Sequence, residues 1–350
     1  MMRLERRPDI PLSLALSAPI GAVVVSLALA GILIAAAGAP VWEAYQRLFL
    51  GAFGSRLAVT ETLTRTTPLI LTGLAAAVAF RARLWNIGGE GQFYVGALAA
   101  AALGSEAGLQ LPGYALVPVL MIAGAIAGAI LLLVPLLLRL RFGVDEVVTT
   151  LLLNFVAVLF VSMMIEGPVK DPMAFGWPQS VPIVGDAILP KLVLRSRLHI
   201  GLLVGIGLAI LTWIVQSRTV FGLESRAAGL NPRAAAFAGV SLKRILMTIA
   251  CISGGFAGLA GAIEVMGVKG YVTTDLSPGF GYTGIVVAML AELHPVGVIV
   301  AALFVATLFV GADGMSRALG VPSFIADVIV SLSLLTMLVA LFLSNFRIRR

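Results

Sequence analysis

Apolar runs long enough to cross a bilayer recur along this chain, and no other feature constrains its fold as tightly. About twenty apolar residues match the hydrocarbon thickness of a membrane. Inside lipid, every backbone N–H and C=O must find its partner within the protein, so such runs are expected to be helices. Residues 12–39 and 114–138 contain no charged side chain. Sixty percent of the 350 residues are hydrophobic, 12% are charged, and the mean hydropathy is +1.06. A soluble domain carries roughly a quarter charged residues, so a large water-soluble domain is excluded. An all-α, polytopic membrane protein is expected.

Ten apolar segments are read, at 12–39, 66–80, 91–105, 114–138, 147–165, 199–216, 245–264, 281–292, 296–312 and 323–343. With the N-terminus inside, fifteen of the 24 lysines and arginines fall in inner segments, nine in outer ones and none within a span. Excess Lys and Arg mark the cytoplasmic side, so both termini are expected there. The same rule accounts for the formal charge of +7 without a nucleic-acid partner. The stretch after "MMRLERRPDIP" is too long for a signal-peptide core, so the first span is expected to be retained.

The second, third and eighth segments are short, which suits broken helices or hairpins buried in protein. "LTGLAAAVAF" and "YTGIVVAML" are faintly alike, as related halves of a fold would be. Gly124 and Gly128, Gly201 and Gly205, and Gly254 and Gly258 are spaced for close helix packing. Cys251 is the sole cysteine, so no intramolecular disulfide forms; His199 and His294 read as span-boundary residues, and nothing has metal-ligand spacing.

Polar residues inside so apolar a chain are the candidates for function. Residues 80–100 read "FRARLWNIGGEGQFYVGALAA", a glycine-rich knot between two short spans. Asn86, Glu90 and Gln92 there suit either a substrate path and hinge or a polar turn that bonds its own backbone. Glu90 needs a partner if buried, and Arg81 or Arg83 is the expected one. Glu146, Thr150 and Asn154 share one helical face and either line a conduit or hold helices together. Phe280 and Tyr282 follow a Ser-Pro-Gly turn and either stack on a base or belong to an interfacial belt. Asp327 reads as a paired structural charge. The proline-rich outer loop 166–198 is expected to be extended and ordered, either a docking surface or a passive lid.

The largest inner loop, 217–244, carries helix punctuation. Asn231 is a good N-cap, Pro232 suits the first helical position, and Gly239 stops the run, so a helix is expected at 232–238. Alone it would be marginal in water. It either lies on the membrane surface or docks a partner.

The stretch "ESRAAGLNPRAAAFAGVS" (224–241) resembles the cytoplasmic coupling loop of bacterial ABC importer permeases, in the branch handling branched-chain amino acids, ribose and nucleosides. "LWNIGGEGQFYVGA" (84–97), "FGVDEVVTTLLLN" (142–154), "EGPVKDP" (166–172) and "SPGFGYTGIVVAML" (277–290) resemble the nucleoside-type members associated with basic-membrane-protein-type binding proteins. The resemblance runs from about residue 66 to the C-terminus. It implies one transmembrane permease domain in the inner membrane. The implied partners are ABC ATPase subunits carrying ATP-Mg, a second and shorter permease, an extracytoplasmic solute-binding protein and surrounding lipid. Glu224, Arg226, Ala227, Gly229, Asn231, Pro232, Arg233, Ala235 and Gly239 would meet the ATPase. Bulky residues at Gly229 and Ala235 would then impair docking. The sequence has no G-x-x-x-x-G-K-[ST] loop to cradle nucleotide phosphates, so hydrolysis would occur on another chain and no cofactor is expected in this one. The alternative is an ion-coupled secondary transporter, which keeps ionisable groups at mid-membrane. A membrane enzyme would need a nucleophile–base pair or a metal cluster, and none is read.

Overall fold

The structure, a computed structural model, describes residues 3–6, 12–36, 38–320 and 323–349. Arg7 and Arg350, counted among the inner charges, lie outside the described residues. The described chain is dominated by helices: α1 (Leu12–Ala36), α2 (Val41–Phe53), α3 (Arg56–Arg81), α4 (Gly89–Leu103), α5 (Gly113–Phe142), α6 (Glu146–Glu166), α7 (Gly201–Arg218), α8 (Val220–Leu230), α9 (Pro232–Phe237), α10 (Leu242–Glu264), α11 (Phe280–Leu290), α12 (Pro295–Leu319) and α13 (Ser323–Asn345). A short antiparallel ribbon pairs β1 (Arg3–Arg6) with β2 (Phe346–Arg349), so the two ends of the chain lie side by side.

Among the described residues, seven helices are long and apolar enough to cross a membrane: α3, α5, α6, α7, α10 with its π-helical extension Val265–Lys269, α12, and Asp327–Ser344 of α13. An eighth results if Val24–Ala36 and Val41–Phe53, which meet at 117°, form one broken span. Seven or eight of the described helices are therefore long enough for a full crossing. Each of the ten expected segments is helical, but α4 and α11 have only 15 and 11 residues, short of the roughly twenty a crossing takes.

The second segment is the reverse case. It is not short: α3 starts at Arg56 and runs 26 residues. The threonines at 60, 62, 64, 66 and 67 are all buried, and Thr60, Thr62 and Thr67 return their hydroxyls to carbonyls three or four residues back. A run that reads as polar is thus internally satisfied. Arg65 consequently lies within a spanning helix, contrary to the expectation that no lysine or arginine does, and Glu61 lies there with it.

The chain divides into two compact units, Met1–Thr62 with Leu303–Arg350, and Leu63–Ala302. In the first, α1 packs on α13, where the hydroxyls of Ser26 and Ser333 are hydrogen-bonded, and Gly51 of α2 meets Gly311 and Gly314 of α12. In the second, α10 is the axis, packed on α5 and α4. A Cβ on Gly128 would collide with the Gly254 carbonyl, one on Gly258 with that of Gly124, and one on Gly261 with that of Phe93. Close approach of α4, α5 and α10 therefore requires glycine at these positions. The expected pairs at 124/128 and 254/258 pack against each other; Gly205 makes only ordinary contact with Ile70 at 3.5 Å.

Candidate functional site

The glycine-rich knot is a bridge from the end of α3 to the start of α4, and it is buried. Asn86 and Gln92 face each other through two reciprocal amide hydrogen bonds of 2.9 Å. Asn86 also donates to the Ser253 hydroxyl of α10 at 3.0 Å, and Ser253 donates on to the Ala75 carbonyl of α3 at 2.7 Å. The first N–H groups of a helix have no partner within it. Here Asn86 Oδ1 accepts from Gly88 N–H at 2.9 Å, and Asn154 Oδ1 of α6 accepts from Gly91 N–H at 2.7 Å. Asn154 Nδ2 donates to the Ile87 carbonyl at 2.7 Å, and Ile87 N–H donates to the Thr150 hydroxyl at 3.3 Å.

Five of the expected path residues thus converge on a segment of seven residues and hold it: Asn86, Gln92, Thr150 and Asn154 directly, and Glu146 through the carbonyl that accepts from Thr150 at 2.7 Å. The Glu146 carboxylate is ion-paired with Arg139 at 2.6 Å. Arg139 sits one turn before the left-handed Gly143 that ends α5. That turn brings into direct contact two residues that on a single helix would stand about 10 Å apart along its axis.

Glu90 takes neither expected partner. Arg81 donates to Gln216 Oε1 at 2.8 Å, and the Arg83 carbonyl accepts from Arg139 at 3.4 Å. Instead Glu90 Oε2 accepts from Gly281 N–H at 2.6 Å, in the first turn of α11. A helix N-terminus offers unpaired N–H groups and the positive end of the helix dipole, which suits a carboxylate better than a flexible arginine across an apolar gap. Ser277 supports the same turn, its hydroxyl accepting from Gly279 and Phe280 N–H. Phe280 is buried against the Phe93 ring, centroids 5.9 Å apart, and is not free to stack on a ligand. Tyr282 is 39% exposed and its hydroxyl accepts from Asn154 Nδ2 at 3.3 Å. Of the eight path candidates, it alone presents open surface.

The long inner loop carries two helices. Thr219 caps α8, its hydroxyl accepting from Gly222 N–H; the residues 220–230 read as loop, and the helix went unforeseen. Asn231 then closes α8, donating its N–H to Ala227, and opens α9, its side chain accepting from Ala234 N–H at 3.1 Å. Gly239, at φ +88°, ends α9 two residues after Phe237. Arg226, Asn231, Pro232, Arg233 and Gly239 are exposed, Glu224 and Ala227 half-buried. Gly229 and Ala235 are buried, and a Cβ on Gly229 would strike the Arg81 carbonyl. Those two face the protein's own helices, so bulky residues there would damage the permease itself. Phe237, 97% exposed, projects from α9, and Val220, Leu223 and Leu230 are exposed on α8.

The outer loop is extended and tied by isolated bridges, Lys170 to Ser180 and Gln179 to Thr273. Asp171 pins its tip, accepting from Met173 N–H and from Gln179 Nε2, and Phe175 and Trp177 are left exposed. His199 lies at a span boundary as expected, two residues before α7. It is buried, its Nδ1 accepts from Gly201 N–H, and burial aided by nearby Lys191 lowers its pKa to about 4. Asp327 is exposed.

Residues 58–343 match the family described as "Branched-chain amino acid transport system / permease component". The chain is 34% identical over 357 residues to the glucose ABC transporter permease protein TsgB13 of Haloferax volcanii, covering 99% of this chain and 93% of that one. It is 35% identical over 319 residues to the guanosine ABC transporter permease protein NupP of Bacillus subtilis, covering 91% of each. A second guanosine ABC transporter permease of that organism, NupQ, is 29% identical over 256 residues, 70% of this chain and 78% of that one. A match of such extent, on a chain of apolar helices with a buried polar knot, places this protein in the branched-chain amino acid transport system permease family, as a multi-pass membrane permease subunit.

Proposed function

We propose that this permease works in an ABC importer for nucleosides, with ATP hydrolysed by separate ATPase subunits that push on α9. The carrying observation is the build of α9. It is a six-residue helix with its own cap, anchored by Ala235 alone and otherwise presented to the outside. A helix so short is not self-supporting, and Phe237 at its end leaves an apolar side chain for a partner to cover. Gly229 packs α8 onto the end of α3, and the Gln216–Arg81 bond ties α7 to α3, so force on the α8–α9 pair reaches spanning helices.

The relatives' names support a polyhydroxylated solute, since guanosine carries a ribose and glucose is itself a sugar. Of the two, the nucleoside is the reading taken, on the strength of "NIGGEGQ" and the motifs around it. A second, different permease is supported by the two guanosine permeases of one organism. The polar knot serves as the hinge of α4, and Tyr282 is the group with surface to offer a solute. The N- and C-termini and α9 lie on the cytoplasmic side, and the loop 166–198 receives a solute-binding protein.

Phe237→Asp tests the coupling. The position is exposed, so the permease should fold as before while ATPase co-purification and guanosine uptake are both lost. Retention of both by a well-expressed variant would refute the assignment. Competition of labelled guanosine by unlabelled glucose tests the solute class separately.

A further inference from the structure

Between α3, α7, α8 and α10 runs an apolar groove of about 350 Å³ that none of the roles above uses. Leu211 and Val215 of α7, Phe221 of α8, and Ile252, Phe256 and Leu259 of α10 form its walls. The groove is roomy at Gly255, where an added Cβ would meet nothing closer than Ala125 at 3.6 Å. Cys251 lies along it, exposed.

One end of the groove is polar. Thr212 and Gln216 line it, and Gln216 receives the Arg81 guanidinium. Gly229 of α8 packs on the Arg81 carbonyl, which brings Arg226, exposed three residues earlier on the same helix, to this end of α3. The ion pairs of Arg47 with Glu43 and of Arg139 with Glu146 include neither. Glu224 is two residues from Arg226 on α8, a spacing at which helical side chains do not face each other. Arg81 and Arg218 are the last residues of α3 and α7, so these cations sit where spanning helices end, at headgroup depth.

We propose that this groove holds one anionic phospholipid, with an acyl chain laid along α7 and α10 and its phosphate between Arg81 and Arg226. The apolar walls offer an acyl chain the same environment as the bilayer interior, so selection falls to the headgroup, and basic pockets between spanning helices recognise anionic headgroups. A helix from a second permease fits less well. It is about 10 Å across, and an apolar one would leave both guanidiniums without a counter-charge. The proposal rests on the chain spanning a bilayer and not on α9, so its readouts involve no ATPase.

The test uses the full chain in detergent micelles, with native mass spectrometry for retained lipid and maleimide alkylation of Cys251, its sole cysteine. Phosphatidylglycerol should be retained at one molecule per chain and should slow alkylation. Phosphatidylcholine with the same acyl chains should do neither at the same concentration. Arg226→Gln, at an exposed position, should weaken phosphatidylglycerol retention about fivefold, as should Arg81→Gln. Equal retention of the two lipids, or full retention of phosphatidylglycerol by Arg226→Gln, overturns the proposal. So does protection of Cys251 by inorganic phosphate alone, or protection that appears only on adding a second permease.

Discussion

At the residue scale, the polar side chains of the knot divide according to what backbone they must satisfy. Asn154 both accepts from Gly91 N–H and donates to the Ile87 carbonyl, so its removal leaves two buried backbone groups unpaired. Asn154→Ala should lower stability by about 1–3 kcal/mol for each orphaned group, seen as a lower midpoint in denaturant. Serine at the position, too short to reach both, should recover little. His199 gives a pH signature. Its folded pKa of about 4 lies below its ordinary 6.5, so the folded state keeps the ring neutral while the unfolded chain takes up a proton. Its contribution to stability is complete above pH 6.5 and falls by about 1.4 kcal/mol per unit as the pH drops towards 4. Comparing wild type with His199→Gln across pH 4 to 7 isolates this slope, and parallel curves would show the ring titrates normally. The spacing of Glu146, Thr150 and Asn154 was readable as one helical face because helical period is local. Glu90's partner was not readable, because Gly281 is 191 residues away and nothing in either segment names the other.

At the element scale, capping chemistry was legible and helix ends governed by tertiary contact were not. Asn231, Pro232 and Gly239 bound α9 within a residue of the expected 232–238, since an N-cap side chain and a left-handed stop act within one turn. The start of α3 was missed by ten residues. Threonine weighs against a span on any hydropathy scale, yet inside the bundle its hydroxyl is satisfied by the helix's own carbonyls. Interhelical spacing gives a paired prediction. Gly258→Ala drives a methyl into the Gly124 carbonyl, so backbone must move, at a cost of about 1–3 kcal/mol. A methyl added at Gly207, in the middle of α7, would meet nothing within 4 Å, and Gly207→Ala should stabilise by about 0.5–1 kcal/mol through helix propensity. Thermal unfolding of the two variants should move in opposite directions; movement in the same direction would count against glycine-mediated contact of α5 and α10.

At the scale of the whole molecule, the proposed function takes its energy from separate ATPase subunits. The one carboxylate in the knot, Glu90, is committed to the N-terminus of α11, leaving it poorly placed to cycle a proton or an ion. Uptake in reconstituted vesicles should therefore stop when the partner ATPase cannot hydrolyse ATP, and should persist when the ion gradients are dissipated. The opposite pattern would install the ion-coupled alternative. The class of the protein and its local punctuation were legible in the order of residues alone. Transfer of apolar side chains from water is additive along the chain, and caps, stops and motifs act within a few residues. It took packing in three dimensions to make α4 and α11 short pieces within the bundle, to turn Gly229 and Ala235 inward, and to assign each buried acceptor its donor. Those outcomes depend on which distant backbone comes within hydrogen-bond reach once glycine-lined helices close on one another, and no local term carries that distance.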